Sequence, residues 1–431
     1  MTTCRSLRPV LAGVLAVAAA TAVVPAQPQY EGARTIPVTD IMPAAFVHGP
    51  HFKLEPTVST PGYFDEFTIV SDYGRLEAEG QTMLAIRLRD VDALALLAGV
   101  TTTDVFVQAA GDTMVTIGKS AYSAVSSPVE TAKGVGEGIK RFGVNLGRKA
   151  KRVTGNVYEG ATAEPKEGGP STSAKAAAAG ESAANAVFGV NTSMRKWAYK
   201  VGADPYTLNP VLRDALESVA RVDAAGTIAT KIVVPVPTVV TTAGTVGDLV
   251  WKQDPEEVIK LNEKRAAAFG ADKKAATALY NTKPFTLTYQ TAFIEALHDV
   301  KPKGAADYLL TATESETERE ALFFTESAVM LKQFHATNPV TAMLTDSRAM
   351  VARVSDGRAV VLLPVDWVRW TAAFEKAARE VETRARTELG ATRMELQITG
   401  RISPVAKEAL AAMGWTVKDQ VPVKTAWTTR N

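Results

Sequence analysis

Residues 154–185 consist of Gly, Ala, Ser, Thr, Pro and Glu with almost nothing large and apolar among them. Such a stretch buries too little surface to offset the entropy of ordering its chain. Whatever this chain folds into must be assembled from what lies on either side, and residues 154–182 are expected to be a disordered linker. Shifts in pattern divide the remainder. Residues 1–26 read as a signal peptide, 27–50 as an extended lead-in, 51–153 as an N-terminal α+β region, 183–344 as a mainly helical region and 345–431 as a C-terminal α/β region.

The lead-in carries Pro28, Pro37, Pro43 and Pro50 and holds no sustained period, which disfavours a helix. From residue 51 short runs with partial alternation appear at 51–58, 64–71 and 75–79. They are separated by Thr60-Pro61-Gly62 and Asp72-Tyr73-Gly74, both of turn-forming type. The expectation is a three-stranded antiparallel meander. A helix follows over 81–98, where Leu84, Leu88, Val91, Leu94 and Leu97 make one apolar stripe and Gly99 is the expected stop.

Residues 133–152 are the most distinctive segment, glycine-studded and strongly basic. Val135, Ile139, Phe142 and Leu146 recur at spacings of three and four, so a helix would align them on one face. Lys140, Arg141, Arg148, Lys151 and Arg152 fall mostly off that line, and Lys133 and Lys149 add to the charge. Glycines 134, 136, 138, 143 and 147 weaken such a helix by about 1 kcal/mol each relative to Ala. Contacts must therefore order it. Two kinds fit: an anionic surface meeting the basic face, or close packing on its own domain with that face solvated.

Beyond the linker, Asn209-Pro210 and Asp254-Pro255-Glu256-Glu257 are helix starts with a capping side chain and a first-turn proline. Helices are expected over 210–219, 255–269, 273–279, 287–300 and 316–335. Residues 232–247 form an uncharged run broken by Pro235 and Pro237, too short for a standard membrane span. The C-terminal region changes period again. Ser355-Asp356-Gly357-Arg358 sits between two apolar runs as a hairpin, and the order ββαβαβ follows through 415–418. The whole is an α+β chain: N-terminal antiparallel strands plus helices, a helical middle region and a C-terminal small α/β sandwich.

Arg5 and Arg8 precede an Ala/Val/Leu run that ends in Val24-Pro25-Ala26, the three-part form of a secretory signal. Export is therefore expected, to the periplasm, the envelope or the medium. Cleavage after Ala26 would remove Cys4, the one cysteine, and with it any disulfide, thiolate nucleophile or cysteine metal site. Without Arg5 and Arg8, basic and acidic residues balance at 46 each. No global field then favours nucleic acid, and any preference for a membrane must be local.

Motifs of catalysis are sparse. His48 and His51 lack a third ligand nearby, and His298 and His335 fall at expected helix ends, where histidine suits the helix dipole. Gly134, Gly136 and Gly138 have the wrong spacing for a dinucleotide loop. Ser193-Met194-Arg195-Lys196 matches S-x-x-K and Lys424-Thr425-Ala426 approaches K-T-G, but no S-D-N stands between them. Glu314, Glu316, Glu318 and Glu320 read as acids at a helix start. Asp366-Trp367-Val368-Arg369-Trp370 reads as a tryptophan pair at a domain seam, with a ligand groove as the alternative. The expectation is an exported cell-envelope protein acting by binding or as a structural component, with no cofactor and no metal. Its expected partner is an anionic membrane surface or an acidic envelope partner, contacted through Lys133, Lys140, Arg141, Arg148, Lys149, Lys151 and Arg152. The alternative is an exported hydrolase whose site is scattered through the sequence.

Overall fold

The computed structural model describes residues 30–101, 192–224 and 246–424. The signal segment, the basic stretch at 133–152 and the linker at 154–182 lie outside the described residues.

β5 (Glu66–Ser71) is the spine of an antiparallel N-terminal sheet. β6 (Gly74–Glu79) pairs with it from Glu66↔Glu79 to Ser71↔Gly74. Against the other edge lie β3 (Phe52–Leu54) and β4 (Thr57–Thr60), which extend outward to β2 (His48–Gly49) and β1 (Arg34–Pro37). The run at 51–58, expected as one strand, is two. Pro56 has no N–H to give the ladder, and its carbonyl instead accepts from Val38 N at 2.8 Å. Alternation survives the break: Phe52, Leu54, Val58, Phe67 and Ile69 are buried, so one face of the sheet is core. The lead-in, expected to be merely extended, supplies β1, β2 and two short 3-10 turns.

α1 (Gln81–Thr101) leaves β6 through Gly80 and runs past Gly99, the expected stop, to Thr101. One glycine weakens a helix without ending it. Met83, Leu84, Leu88 and Val91 join the main core, whereas Ala93, Leu94 and Leu97 join a second apolar cluster. That second cluster is built by α2 (Thr192–Val201), α3 (Pro210–Ala224) and α4 (Val246–Lys252) around the fully buried Trp197. α1 thus belongs to both.

α5 (Pro255–Ala267), α6 (Lys273–Tyr280), α7 (Leu287–Val300), α8 (Ala305–Ala312) and α9 (Glu318–His335) follow. Asp254, Asp272, Thr286 and Thr317 cap α5, α6, α7 and α9 with their side chains. α7 is buried on every side from Leu287 to Leu297 and packs along α9, as a helix without a polar face must.

The C-terminal sheet contains β7 (Val340–Met343), β8 (Met350–Val354), β9 (Arg358–Leu363), β11 (Arg393–Ile398) and β13 (Trp415–Lys418), in the order β13-β11-β9-β8-β7. α10 (Ala372–Leu389) and α11 (Pro404–Ala412) carry the chain between the parallel strands β9, β11 and β13. The expected ββαβαβ order is present, with two parallel crossovers and with β7 added at the edge. β10 (Trp367–Val368) and β12 (Arg401–Ile402) form a separate two-stranded pair. Nearly every residue of β8, β9 and β11 is buried, which requires both faces of the sheet to be covered. The fold is α+β.

Candidate functional site

Residues far apart in sequence meet where the N-terminal sheet, the start of α1, the start of α9 and the turn after β9 converge. Tyr63 O accepts from both Asp366 N and Trp367 N at 3.0 Å, which fixes that turn against the sheet. Asp366 Oδ2 in turn accepts from Asp65 N at 2.9 Å and from Gln81 N at 3.2 Å. It therefore joins the sheet to the N-terminus of α1, taking one of the N–H groups that the helix itself leaves unbonded. Gly80 makes the approach possible. Its φ of +92° suits glycine, and a Cβ there would come within 3.1 Å of Phe64 and of the Arg319 guanidinium.

Asp65 is fully buried. Its Oδ1 accepts from Thr60 Oγ1 at 2.6 Å and from Arg34 Nη2 at 3.3 Å, while Oδ2 is enclosed without a hydrogen-bond partner. The Arg34 guanidinium lies 3.8 Å from the centre of the Trp367 ring, a cation–π contact. From the first turn of α9, Arg319 lies 4.3 Å from the centre of Phe64, donates to Glu79 O and pairs with Glu326. Glu326 also accepts from Thr82 Oγ1 at 2.6 Å. Burial, reinforced by the charge of Asp65, pushes the Asp366 carboxyl up to about 7. Burial pushes Glu79 up to about 7 as well, against the pull of Arg319.

A second cluster lies further along α1. Arg87 donates to Asp90 at 3.1 Å and pairs with Glu318, which also accepts from Tyr289 Oη at 2.9 Å. Asn209, whose Oδ1 caps α3 by accepting from Val211 N, donates from Nδ2 to Asp90 at 3.0 Å. Thr288 Oγ1 donates to Asp204 at 2.7 Å. Burial raises Asp90 and Asp204 to about 6 each, despite Arg87 and Asn209 at the former and Thr288 at the latter. The acidic run at α9 is therefore more than a favourable helix start. Glu318 and Arg319 each enter one cluster, and Glu320 accepts from Glu316 N at 2.7 Å and pairs with Arg348 at 2.9 Å.

The tryptophan motif lies at the seam: Trp370 is 1% exposed, and Arg369 donates to the carbonyls of Gly32, Pro61 and Gly62. Other sequence candidates are not assembled into sites. His51 Nδ1 lies 2.9 Å from Asp72 on an exposed edge, and His335 Nδ1 accepts from Val340 N at 3.0 Å. In α2, Lys196 pairs with Asp223 at 3.2 Å. The candidate basic residues Lys133, Lys140, Arg141, Arg148, Lys149, Lys151 and Arg152 lie outside the described residues, as do Thr425 and Ala426. An apolar cavity of about 30 Å³ between α10 and the sheet is lined by Val361, Leu363, Phe374, Val381 and Trp415; it has room for little more than one water.

Among the described residues no group of three or more His, Asp or Glu is placed to hold a metal ion, and no helix is long and apolar enough to cross a membrane. No family model matches the chain, and neither a curated protein nor a solved structure matches it.

The two ionic clusters share a logic. Each gathers carboxylates from separate elements around fewer guanidinium groups, and each joins elements instead of opening onto a cavity. Burial holds several of these acids well above the ordinary carboxylate range.

Proposed function

We propose that the protein is an exported component of the cell envelope that acts by binding or as a structural part. The observation that carries this reading is the placement of its perturbed carboxylates. Asp90, Asp204 and Asp366 lie in contacts between elements of the body, where they join parts of the fold. Its binding element is the basic stretch, whose charge stands out against a balanced chain. Val135, Ile139, Phe142 and Leu146 enter an anionic membrane surface or an acidic envelope partner while Lys140, Arg141, Arg148 and Lys149 meet its negative groups.

Binding of the mature protein to anionic phospholipid vesicles at low salt tests this reading. Wild type is expected to bind in a salt-sensitive manner, and the quadruple glutamine variant at Lys140, Arg141, Arg148 and Lys149 to lose that binding with its melting temperature almost unchanged. Wild-type protein that ignores such vesicles, and that stays in the soluble fraction of lysed cells, would overturn it.

A second reading, an exported hydrolase, draws on Asp65 and Asp366. They are carboxyls of adjoining segments with one held near neutral pKa, a pairing that can divide acid and base roles. It requires a hydrolytic activity that Asp366→Asn removes while the fold stays intact.

A further inference from the structure

α1 is held at two places by charge as well as by apolar packing. At its first turn Asp65, Glu79, Glu326 and Asp366 face Arg34 and Arg319, four carboxylates to two guanidinium groups. At its middle Asp90 and Glu318 pair with Arg87 while Asp204 lies near both acids, three carboxylates to one guanidinium group. Neighbouring groups do not redress the balance. Glu31 and Arg369 adjoin Arg34 and offset each other, and Glu66 adds negative charge beside Glu79. Arg348 is shared by Glu314 and Glu320. Tyr289 stays neutral, its phenol raised well above its ordinary value by burial and by Glu318. With every acid ionised, each cluster carries two more negative charges than positive ones. Enclosed net charge of that kind is unfavourable, and Asp65 Oδ2 has no donor to soften it.

We propose that α1 is clamped by protons: the two clusters hold it against the N-terminal sheet, α7 and α9 when they are protonated, and release of those protons loads both contacts with unmatched negative charge and loosens the helix. The acid strengths agree with this geometry. Asp366 and Glu79 are held near 7, and Asp90 and Asp204 near 6, against ordinary values of 3.8 for Asp and 4.5 for Glu. A folded-state value above the unfolded one means that the native protein binds the proton more tightly. The stabilisation is therefore complete only below the ordinary carboxylate values near 4, declines from there as pH rises to 6 and 7, and levels off above. Asp299, Asp356, Glu375 and Glu395 are shifted the other way, so they titrate below that window and do not mask the trend.

Hydrogen exchange of the full chain between pH 5 and 8, expressed as protection relative to each amide's intrinsic rate, tests the clamp. Protection over α1 is expected to fall by at least about tenfold, one proton being worth up to about tenfold per pH unit. Protection over β9 and β11 is expected to change far less. In the double variant Asp366→Asn/Asp90→Asn, which removes one raised carboxyl from each cluster and leaves Glu79 and Asp204, the fall in α1 protection between pH 5 and 8 should be clearly smaller than in wild type. Flat wild-type protection over α1, or a fall shared equally by β9 and β11, would overturn the proposal. So would a folded double variant with the full wild-type pH dependence. Should that variant fail to fold, the wild-type profile decides alone.

Discussion

Arg319 is the side chain on which three parts of the chain converge: its guanidinium covers Phe64 of the N-terminal sheet, donates to the end of β6 and pairs with Glu326 on its own helix. Replacing it by Met keeps the apolar contact with Phe64 but leaves Glu326 and its neighbours without their cation. Urea denaturation of Arg319→Met at pH 7 is expected to show a loss of about 3–5 kcal/mol, the usual result of stranding one member of a buried pair. Gly400 is a second sensitive position for a steric reason, since a Cβ there would run into the backbone of Asp366. Gly400→Ala should therefore lower the thermal midpoint by displacing the turn that seats Asp366, and the shift is expected to exceed that of Gly32→Ala, where a Cβ meets nothing. Little of this site was legible in the sequence. Asp366 lies in a motif read there as a seam, but Asp65 and Asp366 are 301 residues apart. No local pattern brings Glu79, Arg319 and Glu326 to the same place.

Elements were far more legible than contacts, because their ends are set by neighbours in the chain. Asp254 and Ser403 cap the helices expected after them, each with proline in the first turn, and α10 ends at Gly390 in the left-handed conformation. Such caps have a measurable worth. Thr317→Ala removes the acceptor for Glu320 N at the start of α9 and is expected to cost about 1 kcal/mol in denaturant unfolding. Thr383→Ala, on the exposed middle of α10, should cost less. What the sequence concealed lacked such marks. α8 begins at Gly304 with no side-chain cap, and β10 and β12 are two residues each, too short for alternation to register. β7 was missed although it closes the edge of the C-terminal sheet; its four residues show no clear alternation. At 51–58 the period was right and the continuity wrong, because Pro56 interrupts the ladder while buried residues keep their order on either side.

One apolar core runs from Phe52 in the N-terminal sheet through α7 and α9 to Trp415 in the last strand. A fragment starting at Thr345 would lack β7 and the helix α9 that packs on β8 and β9. Its strands are buried on both faces in the whole molecule, so the isolated fragment is expected to melt without cooperativity, as followed by circular dichroism. The second apolar cluster has a different bearing. Leu97, near the end of α1, and Met194, at the start of α2, belong to it together, so the chain departs at Thr101 and rejoins at Thr192 within one packed neighbourhood. A flexible bridge across those two ends is nearly indifferent to its own length, since each doubling adds only about 0.6 kcal/mol of closure entropy. Exchanging residues 102–191 for a short Gly/Ser bridge should leave the melting temperature of the body almost unaltered while removing the capacity to bind anionic vesicles. The two ends of that exchange sit side by side, so the described body can be asked to stand alone as a socket whose mouth is the second apolar cluster.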